Sequence, residues 1–578
     1  MSQMIAFLLI ASTAVANVTA VRDVRMFDGE KVVARSTVVF SDGVITAAGP
    51  DAKIPEGATV VDGEGKTLLP GLIDSHAHAW GDALVRALRF GVTTELDMFT
   101  NVEFARTNRL PATDRAELRS AGTLVTVEGG HGSQYFPIPT YTPGSDAQAF
   151  VDARIAEGSD YIKLIYEGGE GYGNVRPTLS RDDLQKLIAA AHKRGKLAVV
   201  HVSTLPRAMD ALEAGADGLV HIFGSTPPSP AFVSLVAKRG TFVVPTLTVV
   251  ESASGAASGV SLIDDARLGP FLNGGEKQGL KQAFPKRKGA EADLANAMAA
   301  VRQLRAAGVA ILAGSDAPNP GTAHGASMHR ELELLVKAGL TPQQALAAAT
   351  SVPAKTFGLT DRGRIATGKK ADLLLVNGDP MRDIMATRDI AAIWKSGVAV
   401  RREPEPKVTV PPAERPPAEK LAAVISDFES GEAASTFGTG WSISTDSMLG
   451  GKSSASMDVV DAGAGRALHV RTQTNAGAPF PWAGTVLWFG SMPMMPADLS
   501  GTSAIAFRSR GDAIRLMVLT RSGGPVPRLK PLPASADWTE RVVPWAELGI
   551  EPNDVQGVML AGPADGSAEF YVDDFRLR

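Results

Sequence analysis

Between Leu68 and about Thr350 the chain alternates short apolar runs with stretches whose apolar residues recur at helical spacing. The runs that read as strands are 69–75, 92–98, 123–128, 161–166, 197–202, 218–222, 241–247 and 309–315, with helical patterns between them such as 181–194 and 290–307. Strands alternating with helices are the signature of a parallel sheet in an α/β fold. Eight such strands with crossovers predict a (β/α)8 barrel, which places its chemistry at the C-terminal ends of the strands.

Either side of this region the pattern changes. Residues 21–61 alternate apolar and polar positions around turn signals at Asp28-Gly29, Asp42-Gly43 and Pro55-Glu56-Gly57, which predicts short antiparallel strands. Residues 252–290 loosen into Gly, Ser and charged positions, giving either a lid or binding loop or a surface insertion with an extra helix. Residues 401–420 are rich in Pro, Glu and Arg without a hydrophobic period and read as a semi-extended linker. From 421 to 578 short alternating strands and frequent Gly and Ser predict an all-β region.

Composition narrows the function only a little. At 578 residues with 44% hydrophobic content the chain is long enough for several cores. A net charge of −4 and the lack of a basic run argue against a nucleic-acid partner. With no cysteine, thiolate metal sites and cysteine nucleophiles are excluded. The apolar stretch 5–16, with Ala14-Val15-Ala16 and Val18-Thr19-Ala20 both suited to a signal-peptidase site, reads as a signal peptide over residues 1–20, hence a periplasmic or secreted protein. Met1 to Met4 lacks a basic residue, which leaves a cytoplasmic protein as the alternative.

The candidate chemistry lies where the predicted strands end. His76 and His78 follow the first strand, Lys163 lies in the fourth, His201 and His221 end the next two, and Asp316 follows the last. Lys163 is flanked by Ile162, Leu164 and Ile165, so desolvation favours its neutral amine, which can add CO2 to become a carbamate. Four imidazoles, one carbamate and one carboxylate form a plausible site for two divalent cations, with zinc the default and manganese, cobalt or iron compatible. A water between two such cations is acidified to hydroxide at neutral pH.

This order of residues resembles the binuclear amidohydrolase superfamily, and within it the imidazolonepropionase-related and prolidase-like branch. Gly63 to His78 looks like the entry to the first barrel strand, and Gly363 to Leu373 like the return into a small β domain. The resemblance implies a composite β-sandwich from residues 21–66 and 360–400 flanking a barrel over 67–359. It also implies one metal on His76, His78 and Asp316, a second on His201 and His221, and carbamylated Lys163 between them. Asp316 would double as the proton shuttle. His131, in Glu128-Gly129-Gly130-His131-Gly132, would contact the substrate carbonyl or carboxylate, and Tyr166 and His324 would touch substrate. His192, His329 and His469 read as structural.

The resemblance implies cleavage of an amide bond in a small molecule or peptide, of dipeptidase or N-acyl amino acid amidase type. A lactonase or carboxyl-ester hydrolase is the alternative. A deaminase fits poorly, because Val-Ser-Thr follows His201 and Ile-Phe-Gly follows His221 where those relatives carry a glutamate. An envelope binding or assembly protein with a vestigial barrel is the reading from outside enzymology, and the complete six-residue set argues against it. Residues 421–578 resemble the complex I intermediate-associated protein family of galactose-binding-like jelly rolls through Asp427-Phe428-Glu429, 447–453, Trp482-Ala483-Gly484, Asp498 to Gly501 and Phe570 to Leu577. That resemblance implies a glycan or polymer ligand, or a role in homo-oligomer assembly.

Overall fold

A computed structural model describes residues 18–169, 175–285, 289–406, 413–446, 451–463, 465–475, 481–523 and 527–578. The chain divides into two compact units, residues 1–406 and 407–578. Most of the expected leader lies outside the described residues. Thr19 and Ala20, which a leader of residues 1–20 would include, are already paired with Phe40 and Val39.

The first unit opens with β1 (Thr19–Phe27), β2 (Val32–Ser41), β3 (Val44–Gly49), β4 (Thr59–Asp62) and β5 (Lys66–Pro70). Asp42 (φ 50°) and Gly43 (φ 82°) form the two-residue loop between β2 and β3, and their positive φ values match the strand twist of a type I′ hairpin.

The barrel follows as β6 (Leu72–Ala77), β7 (Val92–Asp97), β8 (Glu117–Ser120), β9 (Ile162–Ile165), β10 (Ala198–His201), β11 (Gly218–Val220) and β12 (Phe242–Val244). β6, β7 and β8 pair in parallel, as do β9 to β12. All residues of β6, β7 and β9 to β12 are buried, as expected of a sheet covered on both faces.

The third position of the barrel differs from the expected strand 123–128. β8 pairs with β7, and only Val125 of the expected run reaches β9, through Val125 N to Lys163 O at 2.8 Å. Glu117-Leu118-Arg119-Ser120 has a single apolar residue and escapes a hydrophobicity reading, while Gly122 (φ 64°) breaks the strand before Val125. The expected seventh strand also ends early, since Leu247 begins the helix Leu247–Ala253. The eighth segment closes the circle by backbone bonds: Leu312 N to Val243 O at 2.9 Å on one side, Ser75 N to Ala313 O at 2.9 Å on the other.

After the barrel, β13 (Leu373–Asn377), β14 (Ile390–Lys395) and β15 (Val398–Ala399) return to the opening strands. Together they make one eight-stranded sheet in the order β15-β14-β13-β5-β1-β2-β3, with β4 beside β1. The expected sandwich is therefore a single sheet wrapped on a core of Val21, Val38, Phe40, Leu68, Leu373 and Trp394. Residues 252–285 are a packed helical insertion in which Leu262, Leu268, Leu272 and Leu280 are buried against Phe90. The stretch expected to be a free linker begins bound to this unit. Arg402 stacks on Phe271 at 3.4 Å, and Glu405 pairs with Arg86 at 2.5 Å and with Arg89.

The second unit carries β16 (Val424–Ser426), β17 (Trp441–Thr445), β18 (Ser454–Asp461), β19 (Arg466–Thr474), β20 (Ala483–Trp488), β21 (Ala504–Gly511), β22 (Ile514–Thr520), β23 (Arg528–Leu532), β24 (Ser535–Pro544), β25 (Val555–Ala561) and β26 (Gly566–Leu577). They form a six-stranded and a five-stranded sheet whose pairs are antiparallel, and residues of both sheets share one core around Leu468, Leu487, Phe507, Leu516 and Phe570. Residues 447–450 of the expected jelly-roll motif lie outside the described residues.

Candidate metal centre and substrate cleft

Side-chain alternation explains how β9 and β10 build the floor of the site. Lys163 shares the inner face of β9 with Tyr161, and His201 shares that of β10 with Val199, while Ile162, Leu164 and Val200 pack outward under the helices. The apolar inner residues fill the barrel, and the polar ones come at its top. Asp316 enters from the eighth segment with a positive φ of 53°, a conformation that non-glycine residues adopt at a cost and that is concentrated at functional sites.

Asp316 is the centre of the cluster. Its Oδ1 lies 3.2 Å from His76 Nε2 and 3.0 Å from His78 Nε2, and its Oδ2 lies 3.7 Å from His221 Nε2. The rings of His76 and His221 stand 4.7 Å apart, and those of His221 and His201 4.6 Å apart. His76, His221 and Asp316 each offer a ligand atom within 4.8 Å of the other two, a group that could hold a metal ion.

The donor set fits a metal in a second way. His76 Nε2, His201 Nε2, Lys163 Nζ and Asp316 Oδ1 are all buried without a hydrogen-bond partner among the described residues. Such orphaned polar atoms are costly in a protein interior and demand an explanation, which shared cations would provide.

Hydrogen bonds fix two of the imidazoles in the ligand tautomer. Thr246 Oγ1 donates to Pro245 O at 2.8 Å, so it must accept from His221 Nδ1 at 2.5 Å, which leaves the His221 Nε2 lone pair facing Asp316. His78 Nδ1 faces Phe99 O at 3.4 Å, with the same consequence for its Nε2. Burial holds His76 and His201 well below the usual imidazole range and His221 down at about 4, so all three are neutral at pH 7. Burial would raise Asp316, but His76 and His221 outweigh it and hold the carboxyl well below its ordinary value. Burial brings Lys163 down to about 7, and Asp316 and Asp97 oppose that shift without overcoming it.

Behind the ligands lies a layer of buried acids. Asp74 accepts from the backbone N–H of His76 at 3.1 Å and from Ser315 Oγ at 2.5 Å, and burial together with nearby Glu95 raises it to about 7. Asp97 accepts from Ala79 N at 2.8 Å and Ser120 Oγ at 2.5 Å. These bonds fix the segments that carry His76 and His78.

In front of the ligands opens a cleft of about 650 Å³, whose lining includes His78, His131, Lys163, His201, His221 and Asp316. One wall is aromatic, with Trp80 and Phe99 edge to face at 6.1 Å and Phe136 stacked behind Phe99. His131 lines the cleft, its Nδ1 3.8 Å from Glu167 Oε1 and its ring held near pKa 4 by burial and by Lys163.

Two expected substrate contacts are corrected. Tyr166 is an odd number of residues from Lys163, so it faces outward among the helices, where its hydroxyl donates to Asp210 Oδ2 at 3.1 Å and Arg207 covers its ring. His324 is buried beside Glu95, with Nδ1 to Oε1 at 3.0 Å, and does not line the cleft. Against burial, which lowers it, the Glu95 carboxylate raises His324 above the usual range.

Sequence reasoning missed Glu167, Arg176 and Thr246. Glu167 could have been found, since it is four residues past Lys163 and shares its face of the strand. Its Oε2 accepts from Ser203 Oγ at 2.7 Å and Gly169 N at 3.2 Å. Arg176 and Thr246 carry no local signal.

Comparison with known proteins places the first unit among relatives. The profile described as the amidohydrolase family matches residues 67–400. An imidazolonepropionase from Deinococcus radiodurans is 26% identical over 401 residues, 63% of this chain and 92% of that protein. An enamidase from Eubacterium barkeri is 22% identical over 422 residues, 68% of this chain and 95% of that protein. Among solved structures, a Xaa-Pro dipeptidase with methionine in its active site shares the fold with a TM-score of 0.55 at 22% identity, covering 67% of this chain and all of that one.

Proposed function

Because the chain belongs to the amidohydrolase family and is a hydrolase acting on carbon–nitrogen bonds, we propose that it cleaves the amide bond of a small substrate, a dipeptide or an N-acyl amino acid. One observation carries this reading: four imidazoles, a buried lysine and an ionised aspartate converge at the floor of one cleft. His76, His78 and Asp316 would hold one divalent cation and His201 and His221 another, with Lys163 between them as its carbamate. The burial of Lys163 Nζ, which outweighs the nearby Asp316 and Asp97, favours the amine that reacts with CO2.

When bound, the cations supply an acidified water and a polarised carbonyl. Asp316 is ionised and buried, so it is equipped to accept the proton of the attacking water and pass it to the departing nitrogen. Neutral His131, at the cleft wall, is equipped to donate a hydrogen bond to the carbonyl oxygen. The aromatic wall excludes water from the same space.

For residues 421–578 we infer a jelly-roll module that binds a glycan or polymer, a reading supported by two antiparallel sheets on one core. The chemistry that such cations would supply is not confined to amides and would extend to activated esters, so a hydrolysis screen with zinc-loaded protein decides between the two. Dipeptides, N-acyl amino acids and lactones are offered together. Amine release from the amides supports the proposal, and turnover confined to the lactones contradicts it.

A further inference from the structure

We propose that Arg176 reads a carboxylate on the substrate, so that the amides cleaved are acids that release an amino acid with a free α-carboxylate. The inference rests on the amide-hydrolase reading and deepens it.

Charge in the cleft is the starting point. Among the described residues lining it, the charged side chains outside the ligand set are Glu167, Asp293 and Arg176. Glu167 is buried and holds Ser203 and Gly169 N, and Asp293 opens the helix Asp293–Ala306. Arg176 makes no ion pair among the described residues, whereas Arg181 on the following helix pairs with Glu213. An anion entering the cleft therefore meets one guanidinium that no described carboxylate pairs.

Placement supports the assignment. Arg176 N donates to Gly168 O at 2.8 Å, which ties the arginine to the segment leaving β9, five residues beyond Lys163. Arg176 lines the same cleft as His131 and Tyr135, and its charge acts on both rings. Tyr135, 52% exposed, and Val175, 83% exposed, place this end of the cleft at the mouth. The substrate's charged end would thus stay near solvent while its amide reaches the floor.

The guanidinium fork matches a carboxylate with two parallel hydrogen bonds. Phosphate offers the same fork, but Glu167 and Asp293 line the same cleft and repel a dianion more than a monoanion. A carboxylate is the better fit.

The test uses zinc-loaded, full-length protein and a panel of N-acetyl amino acids with aliphatic, aromatic and charged side chains, each beside its matched carboxamide. Calorimetric binding of the released amino acids and their amides is measured in parallel with turnover. The preferred acid should exceed its amide by at least about tenfold in affinity and in kcat/KM. Arg176→Gln should erase that difference by weakening the acid alone, chiefly through KM, and Arg176→Lys should keep part of it. Equal binding of acids and amides by the wild type overturns the proposal, as does equal loss of both in Arg176→Gln. Inorganic phosphate competing better than every acid also overturns it. Preferential binding of acids without amide cleavage leaves Arg176 its role and defeats the amide reading, whereas cleavage of acids and amides alike does the reverse.

Discussion

Replacing Lys163 by alanine removes the lysine that would supply the bridging carbamate, so hydrolysis should fall to background. Short-chain carboxylic acids in bicarbonate-free buffer should restore part of it by offering a carboxylate in the same space, and full activity without them would contradict the carbamate. Thr246→Val leaves the His221 ring in place but takes away the acceptor that fixes its tautomer. Zinc affinity, read by competition with a chelator, should drop by about 10–100-fold. Asp316→Asn keeps an oxygen near both histidines but cannot hold the proton, so kcat should fall by about 10²–10⁴-fold while the circular dichroism spectrum is unchanged. At this scale the sequence was most legible where a polar residue interrupts an apolar strand, as at Lys163, His201 and His221. Tyr166 and His324 lie near the candidate ligands along the chain but outside the cleft in space, since strand alternation sends Tyr166 to the opposite face and His324 is buried against Glu95. Arg176 was invisible because an unpaired guanidinium is recognised only from the side chains around it.

The segment Glu117–Ser120 joins the barrel to the returning chain and makes an element-scale prediction. Glu117 lies 2.7 Å from both Arg362 Nη2 and Lys370 Nζ. Burial alone would raise its carboxyl, but those two cations prevail and hold it at about 2. A carboxyl depressed in the folded state adds stability that is present above its unfolded pKa, roughly 4.3, and is lost as pH falls through the folded value. Glu117→Gln should therefore be less stable than the wild type at pH 6. In urea melts of chelated protein the gap should close as the pH is lowered from roughly 4.3 toward 2. A gap that stays constant down to the acid limit would assign the loss to packing instead. The same strand shows where elements were hard to read. The fully buried strands announce themselves as apolar runs, whereas Glu117-Leu118-Arg119-Ser120 owes its place to the ion cluster and to ladder bonds with β7. The insertion over 252–285 was ambiguous for a related reason, since its buried leucines are spaced too widely to show a helical period.

Across the whole molecule the division of labour follows from where the residues fall. Every described residue lining the cleft lies between His78 and Pro320, within the first unit. Protein ending after Pro406, which keeps the contacts of Arg402 and Glu405, should bind metal and hydrolyse small amides at close to the full-length rate. Inactive but soluble and metal-loaded truncated protein would mean that the second unit shapes the site. The barrel could be read from its repeating pattern of strand and helix. The composite of both ends of the first unit followed from the family resemblance and not from local pattern, and its form as a single sheet was not legible. The central claim is that six side chains hold two cations across a carbamylated lysine, and native mass spectrometry of full-length protein in bicarbonate tests it most directly. Two metal ions and the added mass of one CO2 per chain are predicted, with Lys163→Ala losing the CO2 together with at least one metal. An unmodified Lys163 in metal-loaded, active protein would contradict the claim.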